Sequence, residues 1–156
     1  MLGKTIGDLE PGDVFEPVTY VVTEFIAGEY ARANEDPTEY YYSAVPPFDR
    51  QLRPPTMVHA DKMRMLEANT LQERRISGEH TDDARVHYEY HAQHHSPAFV
   101  GDEIVVSGRI VDRFTKRGGE YLHYEMKVET TDGRLITTYN DLTLLSYKPI
   151  AEGKEQ

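Results

Sequence analysis

Hydrophobic and polar positions change rhythm four times along this chain, and the changes divide it into recognisable segments. Residues 13 to 23 carry β-branched and aromatic side chains and read as a strand. Pro17 lacks the amide a central ladder needs, so it confines part of that strand to a sheet edge or a bulge. Thr23 then stands where a helix N-cap belongs, with Glu24 in the positively polarised first turn. Phe25, Ile26, Tyr30 and Ala33 follow helical spacing and predict a short helix over residues 24 to 35, stopped by Pro37. No period holds from 37 to 55, where Tyr40-Tyr41-Tyr42, Pro46-Pro47 and Pro54-Pro55 fall. A loop this long inside a compact domain is usually functional or mobile.

From Thr56 the rhythm turns helical again. Residues 56 to 73 lack Gly and Pro, are rich in strong helix formers, and place Val58, Met63, Leu66 and Leu71 near one stripe. Pro54-Pro55 suits the first turn of such a helix. Its predicted span of about 27 Å is enough to cross a small domain as a central rod. After a charged connector at 74 to 83, Val86, Tyr88, Tyr90 and Ala92 alternate with His87, Glu89, His91 and Gln93. Further strands are predicted at 103 to 114, 120 to 130 and 134 to 147. Arg117-Gly118-Gly119 and Thr131-Asp132-Gly133-Arg134 join them as hairpin turns. One long helix followed by consecutive hairpins predicts an α+β fold rather than a parallel βαβ sheet.

Composition narrows the class. The 156 residues suit a single domain, with its core at about 8 to 147 and a charged tail at 149 to 156. There is no cysteine, which excludes disulfides, thiolate metal sites and a cysteine nucleophile. Seventeen basic against twenty-seven acidic residues, a formal net charge of −10, argue against nucleic acid as a partner. No apolar run approaches the roughly 20 residues a membrane span requires, and the first residues lack the pattern of a signal peptide. A cytoplasmic protein is expected. Eleven tyrosines and no tryptophan suit half-buried strands and pockets with an apolar base and a polar mouth.

Local motifs sharpen the picture. Tyr30-Ala31-Arg32-Ala33-Asn34-Glu35-Asp36-Pro37, an aromatic loop, then Leu52-Arg53-Pro54-Pro55 opening the long helix, resembles the N-terminal half of MaoC-like hydratases and dehydratases. Ser96-Pro97-Ala98-Phe99-Val100-Gly101-Asp102-Glu103-Ile104 resembles that family's turn into its next strand, and the hairpin turns fall where the family has them. The resemblance covers roughly residues 8 to 147. It implies the hot-dog fold, a long central helix wrapped by an antiparallel β-sheet, and a substrate that is an acyl thioester of coenzyme A or acyl carrier protein. No bound cofactor is implied, since the carrier arrives with the substrate.

The family's Asp-x-Asn-Pro-x-His motif is matched here only at its aspartate. The chain reads Asp36-Pro37-Thr38-Glu39-Tyr40-Tyr41, so Tyr41 stands where the family has histidine. A register two residues back puts Asn34 at the aspartate and Glu39 at the histidine, and restores neither. By resemblance, Asp36 is the candidate base, with Tyr41 or His59 supplying the second polar group. Tyr40, Pro55, Thr56 and Met57 are candidates for binding substrate at the helix start, where free amides can receive a thioester carbonyl. Each also has a plain structural alternative: Asp36 can simply end a helix, the tyrosines can plug a loop, and His59 can be an ordinary helix histidine.

Other clusters compete. His87, Glu89 and His91 share one face of a regular strand but lack a clear third strong ligand, so no metal is expected. His94-His95 fall near the thioester route implied by the resemblance. Arg113, Lys116 and Arg117 could meet the phosphates of coenzyme A or form a solvated hairpin tip. The expected activity is hydration of an enoyl thioester or the reverse dehydration of a 3-hydroxyacyl thioester. The alternatives are a non-catalytic hot-dog subunit, favoured by the missing histidine, and a thioesterase. A homodimer, or a heterodimer with another hot-dog chain, is expected because the sheet keeps an open edge.

Overall fold

In a computed structural model the chain is described over residues 2–71 and 86–147; the charged connector, the expected last residues of the long helix and the C-terminal tail lie outside the described residues. Two helices, α1 (Glu24–Ala33) and α2 (Val58–Asn69), accompany five strands: β1 (Val14–Val21), β2 (Val86–His94), β3 (Glu103–Lys116), β4 (Gly119–Thr130) and β5 (Leu135–Tyr147). The strands form one antiparallel sheet in the order β1-β3-β4-β5-β2. The two predicted hairpins are its centre, and β1 and β2 are its edges. Arg117 (φ 51°) and Gly118 (φ 77°) make the left-handed two-residue turn between β3 and β4. β1 shifts register between Phe15 and Val18, which accommodates Pro17 at the edge.

The inner face of the sheet closes on α2. Ile104, Val106 and Ile110 of β3, with Leu122, Tyr124, Met126 and Val128 of β4, pack against Val58, Met65 and Leu66. Each fully buried aliphatic side chain there is worth about 1.5–3 kcal/mol. Gly108 lets the helix approach: a Cβ there would lie 2.9 Å from Met65 Sδ.

Several expectations need correction. The long helix is shorter than the pattern predicted. A single 3-10 turn (Pro55–Met57) leads into α2, which stops at Asn69 because Thr70 is extended and returns its amide and hydroxyl to Leu66 O at 2.9 and 2.7 Å. Asn69 turns inward and pins that end to β1, accepting from Glu16 N at 2.7 Å and donating to Glu16 O at 3.0 Å. The predicted stripe is only half right. Val58 and Leu66 are buried, but Met63 and Leu71 are about half exposed, and Met65, Asp61, Lys62 and Asn69 take the inner face. In α1, capped by Thr23 Oγ1 on Ile26 N at 3.1 Å, Phe25 is exposed while Ala27, Gly28 and Ala31 are buried.

Charged residues enter α2's inner face only with partners. Asp61, fully buried, pairs with the Arg53 guanidinium and accepts from Tyr20 Oη at 2.6 Å. Lys62 reaches Asp141 at 3.2 Å. Burying an unpaired charge is prohibitive, so each pair keeps the inner helix face compatible with the core. At the far edge β2 is barely covered, and all its residues except Ala92 are exposed.

Candidate active site

Three neighbouring pieces of the chain carry the groups that could do chemistry: the turn after α1, the start of α2, and the inward rows of β2 and β5. The turn after α1 is built by Glu35, whose φ of 54° lets Asp36 N reach back to Ala31 O at 2.9 Å. The Asp36 carboxylate accepts from Thr38 N at 3.0 Å, and bonds from Thr38 hold its pKa below the usual carboxylate range. Asp36 is thus an ionised acceptor that also organises its own turn. Burial raises the Tyr41 hydroxyl above its ordinary value, and the nearby Asp36 charge raises it further. The structure therefore brings Asp36 and Tyr41 together, but as a weak base beside a weak acid.

The rest of the loop is held by ring contacts and hydrogen bonds, with Tyr40, Tyr41 and Tyr42 partly buried. Tyr40 packs edge-on against Phe48 at 5.5 Å, and Phe48 lies 5.8 Å from Phe99. Tyr42 Oη donates to Asp36 O at 2.7 Å, and Gln51 Nε2 to Tyr41 O at 2.6 Å. Residues 51 to 53 then pair with 98 to 100, with Arg53 N on Ala98 O at 2.8 Å and Val100 N on Gln51 O at 2.9 Å. Those bonds aim the chain into α2.

At the start of α2 proline decides which donors are free. Pro54 and Pro55 have no N–H, and Met57 and Val58 donate back to Pro54, Pro55 and Thr56 carbonyls. Thr56 N–H is left without an acceptor among the described residues, on an exposed residue. Tyr30 Oη donates to Thr56 O at 2.8 Å, tying α1 to this point, while Met57 is buried and belongs to the core. Pro55 lines a cleft of about 300 Å³ whose other wall holds His94, His95, Ser96 and Thr137. His94 Nδ1 and His95 Nε2 each lie 3.0 Å from a threonine hydroxyl of β5. His59 stands one turn beyond Pro55, and three residues from Thr56, on the same helix face.

His59 is not joined by any described bond or ring contact to Asp36 or Tyr41. Its ring packs edge-on against Tyr90 at 4.8 Å and Tyr139 at 5.8 Å, with His87 at 5.6 Å. His59 Nδ1 lies 3.3 Å from Tyr139 Oη, which in turn donates to Asp141 at 2.8 Å. Asp141, fully buried, also accepts from Thr143 Oγ1 at 2.7 Å and lies 3.0 Å from His87 Nε2. Burial holds the His59 imidazole below its ordinary pKa; Lys62 and His87 push the same way, and Asp141 opposes them. The group is neutral, with a lone pair to offer, at neutral pH.

Sequence reasoning missed Lys62, Tyr90, Tyr139 and Asp141. The signal was present in the inward positions of β5, where Thr137, Tyr139, Asp141 and Thr143 interrupt what alternation would make apolar. The His87/Glu89/His91 stripe is dissolved by a bulge between His87 and Glu89. His87 turns inward to Asp141, whereas Glu89 and His91 bond each other at 2.7 Å on the outer face. Among the described residues no group of three or more such side chains is arranged to hold a metal ion. Arg113 is not free for phosphates: it binds Glu120 at 2.6 Å and the carbonyls of Gly7 and Leu9 at 2.8 and 3.0 Å. A further concavity, of about 680 Å³, is lined by β1, β3, β4 and β5, with Arg109, Glu125 and Lys127 among its residues and none from α2. No helix of the described residues is long and apolar enough to cross a membrane.

Comparisons place this geometry among known proteins. The family described as FAS1-like, dehydratase domain region, matches residues 10–139. No curated protein matches the sequence. Among solved structures, the C-terminally truncated HadBC (3R-hydroxyacyl-ACP dehydratase) complex of Mycobacterium tuberculosis superposes with a TM-score of 0.69 at 18% identity, covering 86% of this chain and 96% of that one. A MaoC-like dehydratase from Rhodospirillum rubrum gives 0.69 at 15%, covering 95% and 100%. The R-hydratase PhaJ1 of Pseudomonas aeruginosa gives 0.68 at 13%, covering 99% and 96%. At these identities the likeness shows the fold, which is the hot-dog fold.

Proposed function

Because this chain belongs to the FAS1-like dehydratase family, we propose that it adds water to an α,β-unsaturated acyl thioester, or removes it from a 3-hydroxyacyl thioester, with the acyl group carried on coenzyme A or acyl carrier protein. The observation that carries this reading is His59, a neutral imidazole on the first turn of α2, on the same face as the free Thr56 amide and one turn from the cleft at Pro55. A thioester carbonyl received by Thr56 N–H brings its α and β carbons toward His59. The water oxygen bonds to the β carbon while His59 takes its proton. The C=C electron pair moves into a thioester enolate held at the helix start, and the imidazolium returns the proton to the α carbon. Asp36 orients the water, and Tyr41 lends a hydroxyl. No further cofactor enters this reaction.

A second reading has its own support. Tyr41 fills the histidine position of the family motif, and the Asp36 carboxylate is engaged in its turn. Both suit a subunit that shapes the acyl channel while a partner hot-dog chain carries the acid and base. The HadBC complex, one of the similar structures, pairs two chains. The exposed β2 edge suits a second chain of either kind.

One experiment separates these readings. Purified protein is given crotonyl-CoA and longer enoyl-CoA esters, and loss of enoyl absorbance is followed beside release of free thiol. Hydration is expected, and His59→Ala and Asp36→Asn should each lower its rate by about 10² to 10⁴. No hydration at any chain length, with co-purification of a second hot-dog chain, replaces the enzyme reading with the subunit reading. Thiol release without hydration makes the chain a thioesterase.

A further inference from the structure

The geometry points to a relay in which Asp141, through Tyr139, holds His59 in the tautomer that leaves Nε2 unprotonated, making Tyr139 and Asp141 positioning residues for the base. The inference deepens the hydratase reading and rests on it for its catalytic meaning, although the geometry of the relay can be tested without it.

The protons can be assigned by elimination. Asp141 is fully buried, and its carboxylate lies within reach of four donors: Tyr139 Oη at 2.8 Å, Thr143 Oγ1 at 2.7 Å, His87 Nε2 at 3.0 Å and Lys62 Nζ at 3.2 Å. The Tyr139 hydroxyl has a single hydrogen, and its shortest contact to a strong acceptor is Asp141. Burial, and then the Asp141 charge, push the Tyr139 pKa well above its ordinary value, so that hydrogen stays on the oxygen. Tyr139 Oη therefore meets His59 Nδ1, 3.3 Å away, with a lone pair. His59 must supply the proton, so Nδ1 is the protonated nitrogen and Nε2 carries the free pair. No described residue bonds that Nε2.

His87 is assigned in the same way. Its Nε2–H lies 3.0 Å from Asp141 and 3.3 Å from the second lone pair of Tyr139 Oη, and its Nδ1 accepts from Lys62 Nζ at 3.3 Å. The groups facing His59 are therefore Lys62 on its own helix, His87 and Tyr90 on β2, and Tyr139 and Asp141 on β5. Imidazole in water prefers its proton on Nε2, so the opposite tautomer needs a fixed acceptor beside Nδ1, which Tyr139 supplies. When Nε2 takes a proton from water, the new imidazolium still has Tyr139 and, behind it, the buried carboxylate to stabilise its charge. The proton is held only until it returns to the α carbon, so the relay is unchanged after each turnover.

The test is spectroscopic and kinetic, on the full chain. In ¹⁵N-labelled wild-type protein above pH 7, the His59 ring, assigned by its loss in His59→Ala, should show a protonated Nδ1 and an unprotonated Nε2. Tyr139→Phe should convert His59 to a mixture of tautomers. It should also lower kcat for enoyl-CoA hydration by about 10²-fold with KM changed less than about twofold, and move the acidic limb of the pH–rate profile further down as the imidazolium loses an acceptor. A wild-type His59 protonated on Nε2, or a His59 tautomer unchanged in Tyr139→Phe, overturns the relay. If the wild-type chain hydrates nothing, the hydratase reading fails, and the two spectra alone still support or overturn the relay.

Discussion

Glu35 occupies a backbone position that a side chain resists. Asp36 N bonds Ala31 O at 2.9 Å and Glu35 N bonds Arg32 O at 3.0 Å, the paired closure of a helix end whose left-handed residue is usually glycine. Glu35 sits there at φ 54°, where a Cβ crowds the following carbonyl. Glu35→Gly is expected to stabilise the fold by about 0.5–1 kcal/mol, read as a higher urea midpoint at unchanged m-value. A lower midpoint would mean that the glutamate side chain holds the turn in some way its exposed position does not suggest. At this scale the sequence was only partly legible. Pro37 announced the end of α1, but with glutamate in the left-handed position nothing announced the geometry that orients Asp36. His59 was legible as a candidate because it follows Pro54-Pro55 by one turn, while its partner Tyr139 lies eighty positions away.

Elements in this molecule are set at close range, and at Gly108 β3 lies tight against both β4 and α2. A Cβ added at Gly108 would stand 2.5 Å from Glu125 O and 2.9 Å from Met65 Sδ. The methionine end can move, but the backbone carbonyl of β4 cannot without disturbing the ladder. Gly108→Ala is expected to cost about 1–3 kcal/mol, measured by urea unfolding. Gly7, whose nearest neighbour to an added Cβ is Thr5 Oγ1 at 3.7 Å, serves as the control: Gly7→Ala should stay within about 0.5 kcal/mol. Equal effects at both glycines would show that the close approach of β4 and α2 is not the reason for glycine at 108. Hairpins and α1 were well marked by period and turn chemistry. The faces of α2 and β2 were not. A stripe counted by apolarity cannot include Asp61 and Lys62, whose burial depends on Arg53 and Asp141, and strict alternation cannot foresee the bulge after His87.

On the scale of the whole molecule, one edge of the sheet remains unfinished. Val86, Tyr88 and Tyr90 are about half exposed along β2, the ladder side of β2 away from β5 has no strand beside it among the described residues, and α2 leaves the strand's inner face largely uncovered. Such an edge invites another chain. Light scattering is expected to give a mass of at least two chains. A stable monomer at micromolar concentration would show that this edge stays open.

What the sequence by itself determined was whatever depends on neighbours along the chain: the α+β class, the order of elements, the caps and hairpin turns, and the edge position of β1. These follow from local sterics and from periods of two and three to four residues, which are written in any short window. The tertiary structure alone decided which polar groups could be buried and what they do there. Asp141, Tyr139, His87, Lys62 and His59 come from two strands and a helix, and each is costly to bury until the others arrive. That mutual dependence exists only after the sheet has closed on α2, which is why the cluster could not be read from any stretch of sequence.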